Sequence, residues 1–318
     1  MASGSSTSSS ERARLSAAAA LGLAVLVVGL AELGVRRLYT APGAYAGRVA
    51  QAREALGSKG VDLVLFGTCL AEETLDRATL ADALGPDVRL HVLASAGTAP
   101  LDWYLALRTL DAAGSVDALA VAFAPSDLLA AQVSWQTQSL ELADATATRE
   151  LVWSACTTPD TTDAECVADL YLRRGSQLYR NRAYLANRLW RALGLRVDAA
   201  GDTSGPSSGP DAAATPPHRW LRRFVDVARA AGREPTFIEL PGNPEVGSDA
   251  ARRQRAQVRA RALSALRGMQ ARVVSPPAPV GAYVDDVHVN ATGRRRLTEA
   301  VLPSLAVPGA LPTPPGSR

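Results

Sequence analysis

Apolar residues along this chain fall into two kinds of run. Short continuous stretches rich in Val, Leu, Ala and Phe recur: "VDLVLFG" (Val61–Gly67), "VRLHVLA" (Val88–Ala94), "DALAVAFA" (Asp117–Ala124), "PTFIEL" (Pro235–Leu240) and "ARVVSP" (Ala271–Pro276). Between them lie longer stretches suited to helices: Ala71–Leu84, Pro100–Ala113, and segments rich in Arg and Ala ahead of the last two strands. Strands that are apolar on both faces and alternate with helices predict a parallel sheet covered on both sides. The expected fold class is α/β, a three-layer α/β/α arrangement around a parallel, flavodoxin-like sheet of about five strands.

Two segments fall outside that alternation. Leu15–Val35, "LSAAAALGLAVLVVGLAELGV", carries one charge, Glu32. At 1.5 Å per residue its roughly 21 residues reach about 31 Å, the thickness of a bilayer core. Arg12 and Arg14 flank it on one side and Arg36 and Arg37 on the other. An uncleaved transmembrane anchor is expected. A cleaved signal peptide is the rival reading, because small residues surround Ala31, although no A-x-A site follows. Equal arginine counts leave the orientation open. Residues 1–14 read as a disordered tail, and 36–60 as a connector with a short helix over Tyr45–Leu56. The α/β domain then spans 61–307, and 308–318 is a second disordered tail.

The other departure is an insertion, about 128–217, between the third and fourth strands. It holds two cysteines, a helical stretch Leu178–Leu195 and then a run of small, turn-forming residues, Asp198–Pro217, that reads as a flexible linker. In the helical stretch Arg180, Arg182, Arg188 and Arg191 alternate with Tyr179, Tyr184 and Trp190. That pattern suits an amphipathic helix that packs its aromatics and solvates its arginines.

With 318 residues, 47% of them apolar, the chain can bury one sizeable core. A net charge of +3 gives no strong field for nucleic acid, so a nucleic-acid partner is not expected. The three cysteines add more. Cys156 and Cys166 bracket a polar, turn-rich stretch with no histidine nearby, at a spacing wider than zinc motifs use. A small disulfide loop fits this, worth about 2.5–3 kcal/mol by chain entropy, and it would place the globular domain outside the cytosol. Two unrelated exposed thiols are the alternative. Cys69 is the odd cysteine, at the crest of the turn after the first strand.

Ligands of open parallel sheets bind beyond the carboxyl ends of the strands. There lie Gly67–Leu70, Ser95–Thr98, Ala124–Asp127, Pro241–Pro244 and, before the last helix, "YVDDVHVNATGRRRLTEAV" (Tyr283–Val301). Asn243 of "PGNP" suits either the rim of a cleft or a plain turn. Of the three histidines, His91 reads as a satisfied core residue inside a strand and His218 as a solvated one after the linker. His288 sits three residues after Asp285 in a polar loop. An Asp-x-x-His loop presents an imidazole while the carboxylate fixes its tautomer and steadies the cation formed during proton transfer.

The order "FGTCL", "ASAGTAPLDW", "APSD", "DDVHVNATGRRRLTEAV" resembles the SGNH/GDSL hydrolases, in particular membrane-anchored extracytoplasmic members acting on acyl groups of envelope glycans. The resemblance covers about 61–305, without the insertion. It implies that Cys69 stands where the family has its nucleophilic serine, that His288 is the general base and that Asp285 orients it. It puts Gly97 and the Cys69 N–H at the oxyanion site, and Ser126 where the family has a donor asparagine. No cofactor or metal is implied. Cysteine in place of serine is compatible with chemistry, because a thiol beside a histidine at a helix N-terminus can ionise. Glu72 and Glu73 act the other way, raising the thiol pKa. Losing the asparagine removes a donor typically worth about 2.7–4 kcal/mol in the transition state.

Two functions are therefore expected. The first is a membrane-anchored acyl esterase or O-acyltransferase with a Cys69–His288–Asp285 triad, taking an acylated glycan or a lipid-linked acyl donor. The alternative is a catalytically inactive binding or assembly partner of a membrane acyltransferase.

Overall fold

The computed structural model describes residues 7–39, 45–57, 60–112, 116–129, 140–156, 162–180, 185 and 218–305. Five parallel strands, β1 (Val61–Thr68), β2 (Val88–Ser95), β3 (Ala118–Phe123), β4 (Thr236–Glu239) and β5 (Arg272–Val274), form one sheet in the order β2-β1-β3-β4-β5. This is the flavodoxin-like order expected, with β1 between β2 and β3.

Strand alternation splits the core into two layers. Val64, Phe66, Val121, Phe123 and Phe237 face one side, Leu63, Leu65, Ala120, Ala122 and Ile238 the other, all buried. Helices α2 (Tyr45–Ala55), α5 (Pro100–Asp111), α9 (Arg219–Ala230) and α10 (Asp249–Gly268) contribute to the first layer; α3 (Cys69–Thr74), α4 (Arg77–Leu84) and α11 (Ala291–Val301) contribute to the second. Each Phe or Leu so buried contributes about 1.5–3 kcal/mol.

One expected helix is two. The Ala71–Leu84 segment breaks at Leu75–Asp76, where the Asp76 side chain caps α4 by accepting from Thr79 N. The Asp76 N–H donates to Thr298 Oγ1 on α11 at 2.9 Å, so the break also ties the segment that carries Cys69 to the last helix. Residues 128–217 hold more ordered helix than expected. α6 (Ala145–Cys156) ends in one cysteine and α7 (Ala164–Gly175) carries the other in its first turn, followed by the short α8 (Gln177–Arg180). Cys156 and Cys166 are bonded, with their Cα atoms 5.4 Å apart. Most of Leu178–Leu195, all of the 198–217 linker and the tails 1–6 and 306–318 lie outside the described residues.

Leu15–Val35 lies within one helix, α1 (Thr7–Tyr39). Its large apolar side chains from Leu21 to Leu33 are 56–68% exposed. Among the described residues, no helix is long and apolar enough to cross a membrane. Glu32 accepts from the Ser176 hydroxyl at 2.7 Å and from Leu178 N at 3.0 Å, which docks α1 on the insertion.

Candidate active site

Gly67 at the end of β1 makes room for the turn into α3. A Cβ there would sit 2.8 Å from the Ala122 carbonyl oxygen and against the Ala71 side chain. Cys69 follows as the first residue of α3, half-buried and unbonded. Burial first, then the nearby Glu73 carboxylate, push its thiol pKa up, while the Leu70 N–H works against them. The six-residue α3 offers little of the macrodipole that a longer helix would bring to the thiolate.

His288 is held by a loop that folds on itself. Val284 N donates to the His288 carbonyl at 2.8 Å, and Tyr283 and Val289 form an antiparallel bridge. Asp285 Oδ1 accepts the N–H of Val287 (2.9 Å) and of His288 (2.8 Å), and Oδ2 meets ring Nδ1 at 2.7 Å. The His288 and Val287 N–H groups, then the ring, hold the Asp285 carboxyl down at about 2. Asp285, with Glu73 a lesser contributor, raises the His288 pKa. The ring's other nitrogen, Nε2, lies 3.1 Å from Glu73 Oε2 on α3. Thus Asp285 and His288 come together as one unit, and the contact joining that unit to the Cys69 helix runs through Glu73. The neighbouring Glu72 turns away to Arg48 at 2.9 Å.

Because β1 lies between β2 and β3, the turns after those strands flank that of Cys69. Gly97 occupies the first at φ +77°, a left-handed conformation that suits glycine, and is exposed. Ser126 occupies the second and is also exposed. Next to it Asp127 is largely buried and accepts from Ala124 N (2.8 Å) and the Thr68 hydroxyl (3.3 Å). Burial raises its carboxyl to about 6.

Several supporting residues escape sequence reading. Asn243 is buried and donates from Nδ2 to the Asp285 carbonyl at 3.1 Å, so "PGNP" braces the histidine loop from behind. Thr98 Oγ1 donates to the Gly67 carbonyl at 2.7 Å and fixes the β2 turn against that of β1. Gly293 opens α11, where a Cβ would meet the Ala282 carbonyl at 2.5 Å. Asn243 and Thr98 had only their positions after β4 and β2 as signals.

The other histidines are structural. His91 is half-buried with Nε2 at 2.8 Å from Asp62 Oδ1, in line with a satisfied histidine. His218 is not simply solvated. Its Nδ1 lies 2.9 Å from the Leu128 carbonyl, ahead of α9. Among the described residues no cluster of three His, Cys, Asp or Glu could hold a metal. A cavity of about 430 Å³ between α2 and α4 is lined by Arg48, Gln51, Leu65, Glu72, Arg77 and His91, and by neither Cys69 nor His288.

No protein-family model matches the chain, and no curated protein does. Solved structures similar to it include TesA, at 14% identity over 77% of this chain and 97% of that one, with a TM-score of 0.38. A GDSL-like lipase from Bacteroides thetaiotaomicron is similar at 12% identity over 82% and 96%, with a TM-score of 0.40. An acylhydrolase from Bacteroides fragilis, described as putative, is similar at 13% identity over 81% and 94%, with a TM-score of 0.38. Likenesses at these scores leave the family unassigned.

Proposed function

We propose that this chain is an SGNH-like acyl esterase or O-acyltransferase, held at a membrane by α1 with its α/β domain on the extracytoplasmic side. Its substrate is an O-acyl group of an envelope glycan or a lipid-linked acyl donor, and its working residues are Cys69, His288 and Asp285. The observation that carries this reading is the Asp285–His288 pair at 2.7 Å, preset by two backbone N–H bonds to the same carboxylate beside the helix that begins with Cys69. The disulfide supports an oxidising compartment, and the exposed apolar side chains of α1 support the anchor.

The chemistry follows from the groups. The Cys69 proton passes to His288 Nε2, and the sulfur attacks the acyl carbonyl carbon. The Gly97 and Cys69 N–H groups and the Ser126 hydroxyl face the developing oxyanion. The C–O bond to the leaving alcohol breaks as His288 returns the proton to that oxygen, leaving a thioester. Water or an acceptor hydroxyl then attacks the thioester and gives its proton to His288. The C–S bond breaks, and the sulfur regains a proton.

The test is turnover of p-nitrophenyl acyl esters by the full chain in detergent, with intact mass recorded for an acyl adduct on Cys69. The wild type should turn over and form the adduct. Cys69→Ala should fall to background, and His288→Ala should lose about 10²–10⁴-fold. Full turnover in Cys69→Ala would overturn the catalytic reading.

The raised thiol pKa and the Glu73 contact at Nε2 favour a second reading, a non-catalytic binding or assembly partner of a membrane acyltransferase. Glycan binding that survives in Cys69→Ala, with no turnover and no adduct in the wild type, would establish it.

A further inference from the structure

An imidazole has two nitrogens, and each serves one hydrogen-bond partner at a time. In His288, Nδ1 is hydrogen-bonded to Asp285 Oδ2 at 2.7 Å, and Nε2 lies 3.1 Å from Glu73 Oε2, at ion-pair distance. Two carboxylates beside one ring favour its protonated form, and Asp285 first, then Glu73, raise the His288 pKa. An imidazolium cannot take the proton of a thiol. Cys69 and Glu73 stand four residues apart, on one face of α3, and from that face Glu73 meets the ring nitrogen.

We propose that Glu73 is a built-in stop on the Cys69–His288 pair: its carboxylate occupies the nitrogen that the thiol must reach, and the site works only when Glu73 swings away. This rests on the reading of Cys69 and His288 as reacting partners and adds how that site is held in check. The geometry allows release. Glu73 is 52% exposed and His288 36% exposed, so a rotamer change at Glu73 frees Nε2 without moving the backbone. Glu72 cannot substitute, because Arg48 holds it on the other side of α3. A substrate whose hydroxyls or cationic groups compete for the Glu73 carboxylate would release the stop as it binds, which couples recognition of the acceptor to activation of the thiol.

Cys69 is the only cysteine outside the disulfide, so alkylation of the full chain by iodoacetamide reads this site alone. In that reaction the sulfur displaces iodide from the CH₂ carbon, and the thiol proton goes to His288 or solvent. The measurement is the rate at neutral pH in the wild type, Glu73→Ala, His288→Ala and the double variant. Glu73→Ala should react about twofold to fivefold faster than the wild type, the factor one exposed ion pair is worth. Combining it with His288→Ala should shrink the gain to the smaller part that the Glu73 charge exerts on the thiol directly. Equal acceleration with and without His288 would mean that Glu73 acts on the thiol by charge alone, and would overturn the stop; no acceleration would overturn it too. Alkylation needs no ester turnover. A chain without esterase activity thus still answers this question, and the two readings fail separately.

Discussion

Asn243 Nδ2 donates to the Asp285 carbonyl at 3.1 Å, from the turn after β4 to the loop that carries His288. The Asn243 side chain also accepts from Glu245 N at 3.0 Å, and its backbone N–H donates to the Asp286 carbonyl at 2.8 Å. One buried amide therefore welds two loops at the carboxyl edge of the sheet. The Asp285–His288 pair rests on that weld.

Asn243→Ala should cost about 1–3 kcal/mol in stability, because it leaves buried polar groups without partners. Turnover should fall while the alkylation rate of Cys69 changes little, since the histidine loop loosens and α3 does not. Urea unfolding and the two assays check this. A variant as stable as the wild type would show that solvent replaces the amide.

Asp285→Asn tests the pair itself. Asp285 is the first cause of the raised His288 pKa, so removing its charge should bring the ring back toward its ordinary value of 6.5. The signs follow. His288, raised in the fold, contributes stability that is full below 6.5 and lost as pH rises through its folded value. Asp285, held at about 2, contributes stability present above its ordinary 3.8 and lost as pH falls through about 2. The variant should lose the Asp285 dependence, most of the His288 dependence, since Glu73 still raises the ring pKa, and about 10²–10⁴-fold of turnover. NMR titration of the His288 ring and urea unfolding against pH provide the measurements.

Much of this was legible in the residues. The doubly apolar strands gave the parallel sheet, because a strand apolar on both faces needs a helix layer on each side. Asp285 and His288 were legible because their contact is local, three residues apart in one loop. What the pattern hid is tertiary. The break at Asp76 looks like the middle of a helix until Thr298, far along the chain, takes the Asp76 N–H. Asn243 looks like a turn residue until Asp285 arrives beside it. The Glu73 contact was half legible: charge near Cys69 could be read from spacing, but the choice of His288 as its partner depends on where α11 packs against α3. α6 and α7 were not legible because they lie on either side of the turn-rich "CTTPDTTDAEC" inside an insertion without strand alternation; the Cys156–Cys166 bond joins the end of one to the start of the other.

That disulfide makes a stability prediction. Cys156→Ser with Cys166→Ser should lower unfolding free energy by about 2.5–3 kcal/mol, the chain-entropy value of so short a loop. The bond lies within the insertion and outside the turns that carry Cys69, Asp285 and His288, so turnover at low temperature should stay within about twofold of the wild type. Thermal unfolding with and without reductant checks the first part: reductant should shift the wild type toward the variant and leave the variant unmoved.

Asp127 carries the clearest pH signature. Burial raises its carboxyl to about 6, against the Ala124 N–H and the Thr68 hydroxyl that favour the charged form. The folded chain therefore keeps this proton to about pH 6, whereas the unfolded chain loses it near 3.8. Between those values the folded state binds more protons, so this group makes stability fall as pH rises; above 6 the full cost, on the order of 2–3 kcal/mol, is present. Asp127→Asn keeps an acceptor for the Ala124 N–H and removes the charge. Relative to the wild type, it should gain stability on going from pH 4 to pH 7.5. The same change should speed Cys69 alkylation, by less than Glu73→Ala does, because Asp127 raises the thiol pKa less than Glu73 does. Urea unfolding at both pH values reads the first effect, and a wild-type-to-variant difference that stays constant with pH would rule out the buried charge as its source.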